Sequence, residues 1–209
     1  MVSKMKVLMI NGSPHDDGCT VTALKVVEKE LNDLGVETQT IQIGDKDIRG
    51  CVDCGFCKEN KKCAFDDIVN EANKLFEECD GLIIGTPVYY GGLNGTLKAF
   101  LDRLFRSSHI GKSMKLGASI ASSRRAGSTS TLDDINRFFL LSNMPIVTST
   151  YFNEVHGTNK DEVKLDEEGM QTMKNLGRNM AFLVKSINLG KENYGLPEKE
   201  LGVRTNFVR

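Results

Sequence analysis

Short runs of apolar residues alternate along the chain with longer segments in which apolar residues recur at helical spacing. The first run, Lys6–Asn11, ends in turn-forming residues. After it, apolar side chains between Val21 and Leu31 fall on one helical face until Gly35 ends the pattern. Five such β-α units in series predict an α/β fold, in which a parallel sheet carries helices on both faces.

The short apolar runs and the helically spaced segments set the expected bounds of every strand and helix. The predicted strands are Lys6–Asn11, Val36–Ile43, Gly81–Thr86, Leu116–Ser122 and Pro145–Ser149. The predicted helices are Thr20–Leu34, Asp67–Cys79, Gly95–Phe105, Thr131–Leu141 and Glu167–Asn188. A cysteine-rich loop at 44–66, a polar loop at 151–166 and a C-terminal tail at 190–209 separate or follow them. No linker or repeat interrupts the pattern, so we expect a single domain over 1–209.

Composition and charge exclude several classes of protein. Lys and Arg number 27 against 28 Asp and Glu, so the net charge of −1 creates no field that attracts nucleic acid or anionic lipid. The longest apolar runs fall far short of the ~20 residues that span a membrane. The N-terminal run lacks a signal-length apolar region and a cleavage site. We therefore expect a cytoplasmic protein that binds neither nucleic acid nor a membrane.

A loop rich in glycine and hydroxyl residues, Asn11–Thr20, joins the first strand to the first helix. Free N–H groups and the positive dipole end at a helix start suit a phosphate monoester. Ser13 and Thr20 add hydroxyl donors, while Gly12 and Gly18 allow close approach of the backbone. The loop has neither the P-loop ending nor the G-x-G-x-x-G spacing. An ordinary βα loop with Thr20 as N-cap explains the same residues equally well.

A second loop, Thr86–Gly95, follows the third strand. In a doubly wound sheet of order 2-1-3-4-5, ligands bind past the carboxyl ends of strands 1 and 3, where flavodoxin-like folds hold FMN. Tyr89 and Tyr90 can border an isoalloxazine ring, and nearby backbone groups can bond its polar edge. A Pro/Gly-rich loop with one buried tyrosine is the alternative interpretation.

Four of the six cysteines lie within thirteen residues, at the spacing C-x2-C-x2-C-x5-C. They are Cys51, Cys54, Cys57 and Cys63. In a reducing compartment, clustered thiols bind metal or perform redox chemistry more often than they form disulfides. Four thiolates are the ligand set of a [4Fe–4S] cluster. Free thiols remain an alternative, and so does zinc, although four-thiolate zinc sites usually pair two C-x2-C arms across a longer gap.

Together, these motifs resemble those of the NAD(P)H-dependent FMN reductases, a family of the flavodoxin-like superfamily. The likeness covers roughly residues 5–150 and rests on Ser13–Thr20, Gly85–Gly91, the helix Leu97–Phe105 and the third cofactor loop Ser122–Gly127. The cysteine spacing is similar to that of the iron–sulfur flavoproteins, a branch of this family. The resemblance implies a three-layer, flavodoxin-like sandwich with a five-stranded parallel sheet of order 2-1-3-4-5.

The resemblance also implies FMN as cofactor and a role for each matching position. Residues at the FMN phosphate would be Ser13, His15, Gly18, Cys19 and Thr20. Residues along one side of the ring would be Pro87, Val88, Tyr89, Tyr90 and Gly91. Residues closing the other side would be Ser122, Ser123, Arg124 and Gly127. The [4Fe–4S] ligands would be Cys51, Cys54, Cys57 and Cys63.

Two positions depart from the family pattern. His15 stands where the family often has Arg, so phosphate binding would rest more on the backbone. Cys19 lies at a helix N-terminus, where we expect its pKa to be lowered.

Other polar residues have open interpretations. Arg103, Arg106, Lys112, Arg124 and Arg125 form either a solvated face, which we favour, or a basic rim near the cofactor. Cys79 is expected in the core. The apolar positions of the last helix, such as Leu176, Met180, Leu183 and Ile187, are expected in the core or in a dimer contact. His109 and His156 are expected to be loop residues, with His156 as a candidate for the flavin edge.

The predicted function is an FMN-dependent oxidoreductase that takes hydride from NAD(P)H and passes electrons to a flavin, quinone or other acceptor. The flavin would perform the chemistry, so no catalytic acid or base is named. An electron carrier with a protein redox partner and no nicotinamide substrate is the alternative. A homodimer or homotetramer is expected, because a shallow crevice would leave one face of the flavin ring in water. Residues 151–157 or 190–209 of a neighbouring subunit are candidates to cover that face.

Overall fold

The structure, a computed structural model, describes residues 4–200, 202, 203, 205 and 207. Its five parallel strands lie in the order β2-β1-β3-β5-β6, and the short β4 pairs antiparallel with the end of β3. The strands are β1 (Lys6–Asn11), β2 (Glu37–Gln42), β3 (Gly81–Tyr89), β4 (Gly92–Leu93), β5 (Leu116–Ser123) and β6 (Glu154–His156). Setting β4 aside, this is the flavodoxin-like order 2-1-3-4-5, so the predicted fold class is confirmed.

Helices cover both faces of the sheet. They are α1 (Cys19–Asp33), α2 (Phe56–Asn60), α3 (Ile68–Glu78), α4 (Gly95–Ser107), α5 (Ser128–Leu141) and α6 (Glu167–Tyr194), with a 3-10 turn at Val163–Leu165. Alternate residues of β1 point to opposite sides. Val7 and Met9 pack in a core with α1 and α6, whereas Leu8 and Ile10 pack in a core with α3, α4 and α5. The two cores make the molecule a three-layer sandwich.

The third strand is longer than its sequence suggests. We expected Pro87 to end it at Thr86, but β3 continues to Tyr89. Pairing of β3 with β1 ends at Gly85, while pairing with β5 continues to Pro87 opposite Ser122. Pro87 therefore leaves no bond to β1 unmade, although it has no N–H to donate.

The position of the fifth strand was predicted wrongly. Within the predicted Pro145–Ser149, only Ile146 makes an isolated bridge, to Gly117. The chain then leaves the sheet and returns as β6, whose Glu154–His156 pairs with the carboxyl end of β5. β6 thus lies inside the segment 151–166, which we predicted to be a polar loop. The strand was not predicted because only one of its three residues, Val155, is buried.

Three smaller differences concern helices. A one-turn helix, α2, lies inside the cysteine loop where we expected none. The last helix continues six residues beyond Asn188 to Tyr194 and ends at Gly195, whose φ of 74° is in the left-handed region. The first part of the predicted tail is therefore helical, and residues 201, 204, 206, 208 and 209 lie outside the described residues. None of the described helices is both long and apolar enough to cross a membrane.

Candidate cofactor crevice and cysteine pocket

Three loops meet at the carboxyl ends of β1, β3 and β5, which are neighbours in the sheet. The Gly12 N–H donates to Gly85 O at 2.8 Å, which joins the first loop to β3. The Thr20 and Ser122 hydroxyl oxygens lie 2.6 Å apart, which joins the start of α1 to β5. All segments predicted to contact FMN therefore lie along one edge of the sheet.

Side chains from two strands fix the first loop. Asn11 Oδ1 accepts from the Ser13 N–H at 3.0 Å, and Asn11 Nδ2 donates to His15 O at 3.2 Å. Gln42 Nε2 donates to Ser13 O at 2.5 Å. Gly44 packs so closely that an added Cβ would lie 2.2 Å from the Ser13 backbone. The loop conformation is thus set before any ligand binds.

Asn94 connects the same loop to α4. Its Oδ1 accepts from the Leu97 N–H at 2.8 Å as the N-cap of α4, and its Nδ2 donates to Gly12 O. The side chain is 4% exposed. One buried amide therefore caps a helix and holds the backbone at the candidate phosphate site.

No side chain caps the start of α1. Its N-cap is Gly18, so the alternative with Thr20 as N-cap is wrong. The first N–H groups of α1 are therefore not satisfied by a capping side chain. Ser13 Oγ accepts from the His15 N–H at 3.2 Å, and the His15 side chain is exposed. Because Thr20 and Ser122 share one hydrogen bond, only one of their two hydroxyl protons stays available to a ligand.

The expectation of an acidic Cys19 was wrong. Burial raises the pKa of the Cys19 thiol, and Glu162 raises it further. The thiol donates to Asn159 O at 3.3 Å. Lys160 of the same segment pairs with Asp17 at 2.5 Å. The segment 159–162 thus packs beside the start of α1, where it accepts a hydrogen bond from the Cys19 thiol.

The loop after β3 turns through Tyr90 and Gly91, both with positive φ. Pro87 and Val88 are half-buried, whereas Tyr89 is 46% exposed and Tyr90 is fully exposed. Gly127 packs against this loop with φ of 93°, and a Cβ there would lie 2.8 Å from Val88 Cγ1. Only glycine fits at position 127, which keeps the second and third loops in contact.

The loop after β5 ends in a small hydroxyl network. Ser123 Oγ lies 2.9 Å from Ser128 Oγ and 3.2 Å from His156 Nδ1. The Gly157 N–H donates to Ser123 O at 3.2 Å. Arg124 and Arg125 are exposed. His156 therefore lies at the end of β6, beside the third predicted cofactor loop.

The four clustered cysteines line one open pocket, together with residues of α4. Cys51 and Cys54 are exposed, Cys57 and Cys63 are half-buried, and all four are free thiols. Within the described residues, no three His, Cys, Asp or Glu side chains converge tightly enough to hold a single metal ion. A four-iron cluster needs a wider arrangement, in which each thiolate binds a different iron.

Two arginines of α4 hold the cysteine loop. Arg106, half exposed, pairs with Asp53 at 2.6 Å. Arg103 was expected on a solvated face or a cofactor rim, but its side chain is 1% exposed and pairs with Asp67 at 2.6 Å. Burying a guanidinium requires such a partner, because an unpaired charge in the interior is strongly destabilising. The basic group of the sequence therefore divides into one buried arginine and several surface residues.

Comparison with known proteins identifies the family. The family described as NADPH-dependent FMN reductase matches residues 5–159. The chain belongs to that family. Within it, the chain is 36% identical over 192 residues to an iron-sulfur flavoprotein of Methanocaldococcus jannaschii, covering 88% of this chain and 99% of the relative. This places the chain in the iron–sulfur flavoprotein branch of the FMN reductase family.

Solved structures agree on the fold. RosB, solved with the bound intermediate 8-demethyl-8-formylriboflavin-5'-phosphate, has a TM-score of 0.70 at 14% identity, over 98% of this chain and 94% of its own. A flavodoxin from the domain Archaea has a TM-score of 0.60 at 16% identity, over 87% of this chain and 99% of its own. Family and fold together make the chain a flavodoxin-like flavoprotein oxidoreductase.

Four residues that hold the first loop in place were not recognised in the sequence: Asn11, Gln42, Gly44 and Asn94. Asn94 directly precedes a predicted helix, and Asn is a favoured N-cap residue, so its capping role could have been predicted from the sequence. The bonds of Asn11 and Gln42 depend on β1 and β2 pairing in one register, with Asn11 opposite Gln42. No local pattern reveals such a pairing.

Proposed function

We propose that the protein is an FMN-dependent oxidoreductase that takes hydride from NAD(P)H and passes electrons to a flavin, quinone or other acceptor. One observation carries the proposal: three fixed loops meet at the carboxyl ends of β1, β3 and β5 in a chain of the FMN reductase family. Ligands of open α/β sheets bind at such a position. The flavin supplies hydride transfer, while the protein supplies binding, orientation and electrostatics.

The first loop fits a phosphate monoester. The uncapped start of α1 offers N–H donors and the positive end of the helix dipole. Ser13, Gly18, Cys19 and Thr20 would bind the phosphate through backbone N–H groups and a hydroxyl. His15, exposed beside them, supplies positive charge only when protonated. We assign FMN rather than a dinucleotide, because the sequence offers no second nucleotide-binding unit.

The other two loops fit an isoalloxazine ring. Pro87 to Gly91 border the crevice on one side, and Ser122, Ser123, Arg124 and Gly127 border it on the other. RosB, which shares the fold, was solved with a bound riboflavin-5'-phosphate derivative, and this supports a flavin as the ligand. Tyr89 and Tyr90 would border the ring, and His156 would lie near its edge.

We assign a [4Fe–4S] cluster to Cys51, Cys54, Cys57 and Cys63. Their thiols line one pocket, and the relative from Methanocaldococcus jannaschii is called an iron-sulfur flavoprotein. Asp53, Gly55 and Lys61 adopt positive φ within this loop, which turns the chain sharply between successive cysteines. Lys58, Lys61 and Lys62 are exposed in the same loop and partly offset the negative charge of a cluster.

A second candidate is an electron carrier that has no nicotinamide substrate. The exposed position of Cys51 and Cys54 favours it, because a cluster there would be open to a protein donor or acceptor. In either case we propose a homodimer or homotetramer in the cytoplasm, with no nucleic acid or membrane partner. Exposed Tyr151 and Phe152, in edge-to-face contact at 5.3 Å, are candidates to cover a neighbouring flavin.

Rapid mixing with reduced nicotinamides separates the two candidates. The oxidised holoprotein is mixed anaerobically with NADH or NADPH, and flavin absorbance is followed. Fast bleaching by either nucleotide is the expected result. A flavin that stays oxidised with both nucleotides, yet is reduced by a low-potential protein donor, would overturn the reductase in favour of the carrier.

A further inference from the structure

The buried side chain of Arg103 uses every one of its five N–H donors. Both Nη atoms bond the Asp67 carboxylate, at 2.6 and 2.9 Å. Their remaining hydrogens go to Arg49 O and Phe65 O, each at 3.3 Å. The fifth donor, Nε–H, goes to Cys63 Sγ at 3.3 Å. A guanidinium has five donors in a fixed planar fork, so none is left unsatisfied.

Four of these bonds fix the direction of the fifth. The bidentate pair with Asp67 sets the plane of the guanidinium, and Phe65 packs against it with the ring centroid 5.1 Å from Cζ. The side chain is 1% exposed, so water does not compete for the donors. Its Nε–H therefore stays aimed at Cys63 whether or not the pocket is filled.

We propose that Arg103 is a positioning residue of the iron–sulfur site, whose directed N–H···S bond raises the reduction potential of the cluster. The proposal rests on the assignment of Cys63 as a cluster ligand. Hydrogen bonds to cluster sulfurs are among the features that set the potential, together with net charge and solvent exposure. A donor at the thiolate stabilises the reduced cluster more, because reduction adds negative charge to the sulfurs. In a water-poor environment the bond is electrostatically stronger than at the surface.

Asp67 completes the arrangement. It caps α3 through Oδ1, which accepts from the Val69 N–H at 3.1 Å. The same carboxylate orients Arg103, as outer-shell carboxylates orient the groups around metal sites. The cluster loop, the start of α3 and the middle of α4 are thereby connected through one guanidinium.

Arg106 provides a matched control. It lies on the same helix, pairs with Asp53 of the same loop, and has no side-chain bond to a cysteine sulfur. Arg103→Lys and Arg106→Lys both keep the positive charge. Both replace a planar guanidinium with an ammonium group, but only the first removes a bond to Cys63 Sγ.

The test compares wild type, Arg103→Lys and Arg106→Lys, all purified anaerobically with FMN bound. Iron and sulfide are assayed first, and the midpoint potential of the cluster is measured by EPR-monitored titration. We expect Arg103→Lys to retain the cluster and to shift its potential to more negative values. The shift in Arg106→Lys should be clearly smaller. Equal potentials in all three proteins would overturn the proposal.

A second measurement on the wild-type protein tests the proposal even if Arg103→Lys does not fold. Protein labelled with ¹⁵N-arginine is reduced, and the nitrogen couplings of the paramagnetic cluster are recorded by pulsed EPR. A ¹⁵N coupling present both in wild type and in Arg106→Lys supports the N–H···S bond from Arg103. Absence of this coupling from wild type overturns the proposed bond. Absence of iron from wild type would instead overturn the cluster assignment itself.

Discussion

The buried amide of Asn94 supports both the phosphate loop and the start of α4, so its removal should damage both. In Asn94→Ala, loss of an N-cap side chain costs about 1 kcal/mol. The Gly12 carbonyl, buried and deprived of its donor, costs a further 1–3 kcal/mol, roughly. We therefore expect the free energy of unfolding to fall by about 2–4 kcal/mol.

A second variant separates the two contributions. Asn94→Ser retains an N-cap hydroxyl that can accept from the Leu97 N–H, but it is too short to reach Gly12 O as well. Its stability should lie between wild type and Asn94→Ala. Its affinity for FMN should fall as much as in Asn94→Ala, because both variants lose the bond to Gly12.

Urea unfolding of the apoproteins and fluorescence titration with FMN measure these quantities. Wild-type stability and wild-type FMN affinity in Asn94→Ala would refute the two roles assigned to the amide. Equal stability of the serine and alanine variants would show that the cap bond contributes nothing.

Three further substitutions test other parts of the structure. Gly127→Ala places a Cβ 2.8 Å from Val88 Cγ1 in a left-handed conformation that costs about 1–2 kcal/mol, so the free energy of unfolding in urea should fall by at least that amount. Wild-type stability would contradict the contact. Burial raises the pKa of Cys79 from its ordinary 9.0 to about 11, so above pH 9 the thiol of the unfolded chain ionises first. The stability of wild type relative to Cys79→Ala should therefore drop by about 2 kcal/mol between pH 9 and 11, and parallel pH profiles in urea would contradict this. Cys54→Ala should lose most iron and sulfide but keep FMN, because the flavin loops lie apart from the cysteine pocket; equal iron in mutant and wild type would exclude Cys54 as a ligand.

Periodicity was sufficient for most of the fold, because each long helix buries one continuous apolar face. It failed at β6, where a three-residue strand completes the sheet with only Val155 buried. Two segments pair with β5 at this edge of the sheet: Ile146 makes one bridge, and Glu154–His156 forms the strand β6. Only the tertiary pairing with β5 decides which segment becomes the edge strand.

Local sequence was enough to predict segments that the fold brings together at one edge of the sheet, but it could not reveal the bonds that support them. Arg103 lies three residues after buried Phe100 and four before buried Ser107, so its place on the inner face of α4 was readable. Its partner Asp67 is 36 residues away, and no helical pattern reveals that pair. The pKa of Cys19 was predicted wrongly. The sequence shows that Cys19 lies at a helix N-terminus, but it does not show that segment 159–162 packs against the thiol.

The most direct test of the flavoprotein assignment is the cofactor content of anaerobically purified protein. Flavin released by denaturation is identified by chromatography, and iron and acid-labile sulfide are assayed on the same sample. The expected result is FMN at about one per chain with about four iron and four sulfide, the composition of one [4Fe–4S] cluster. Protein that releases no flavin, and whose apo form does not take up FMN, would contradict the central assignment.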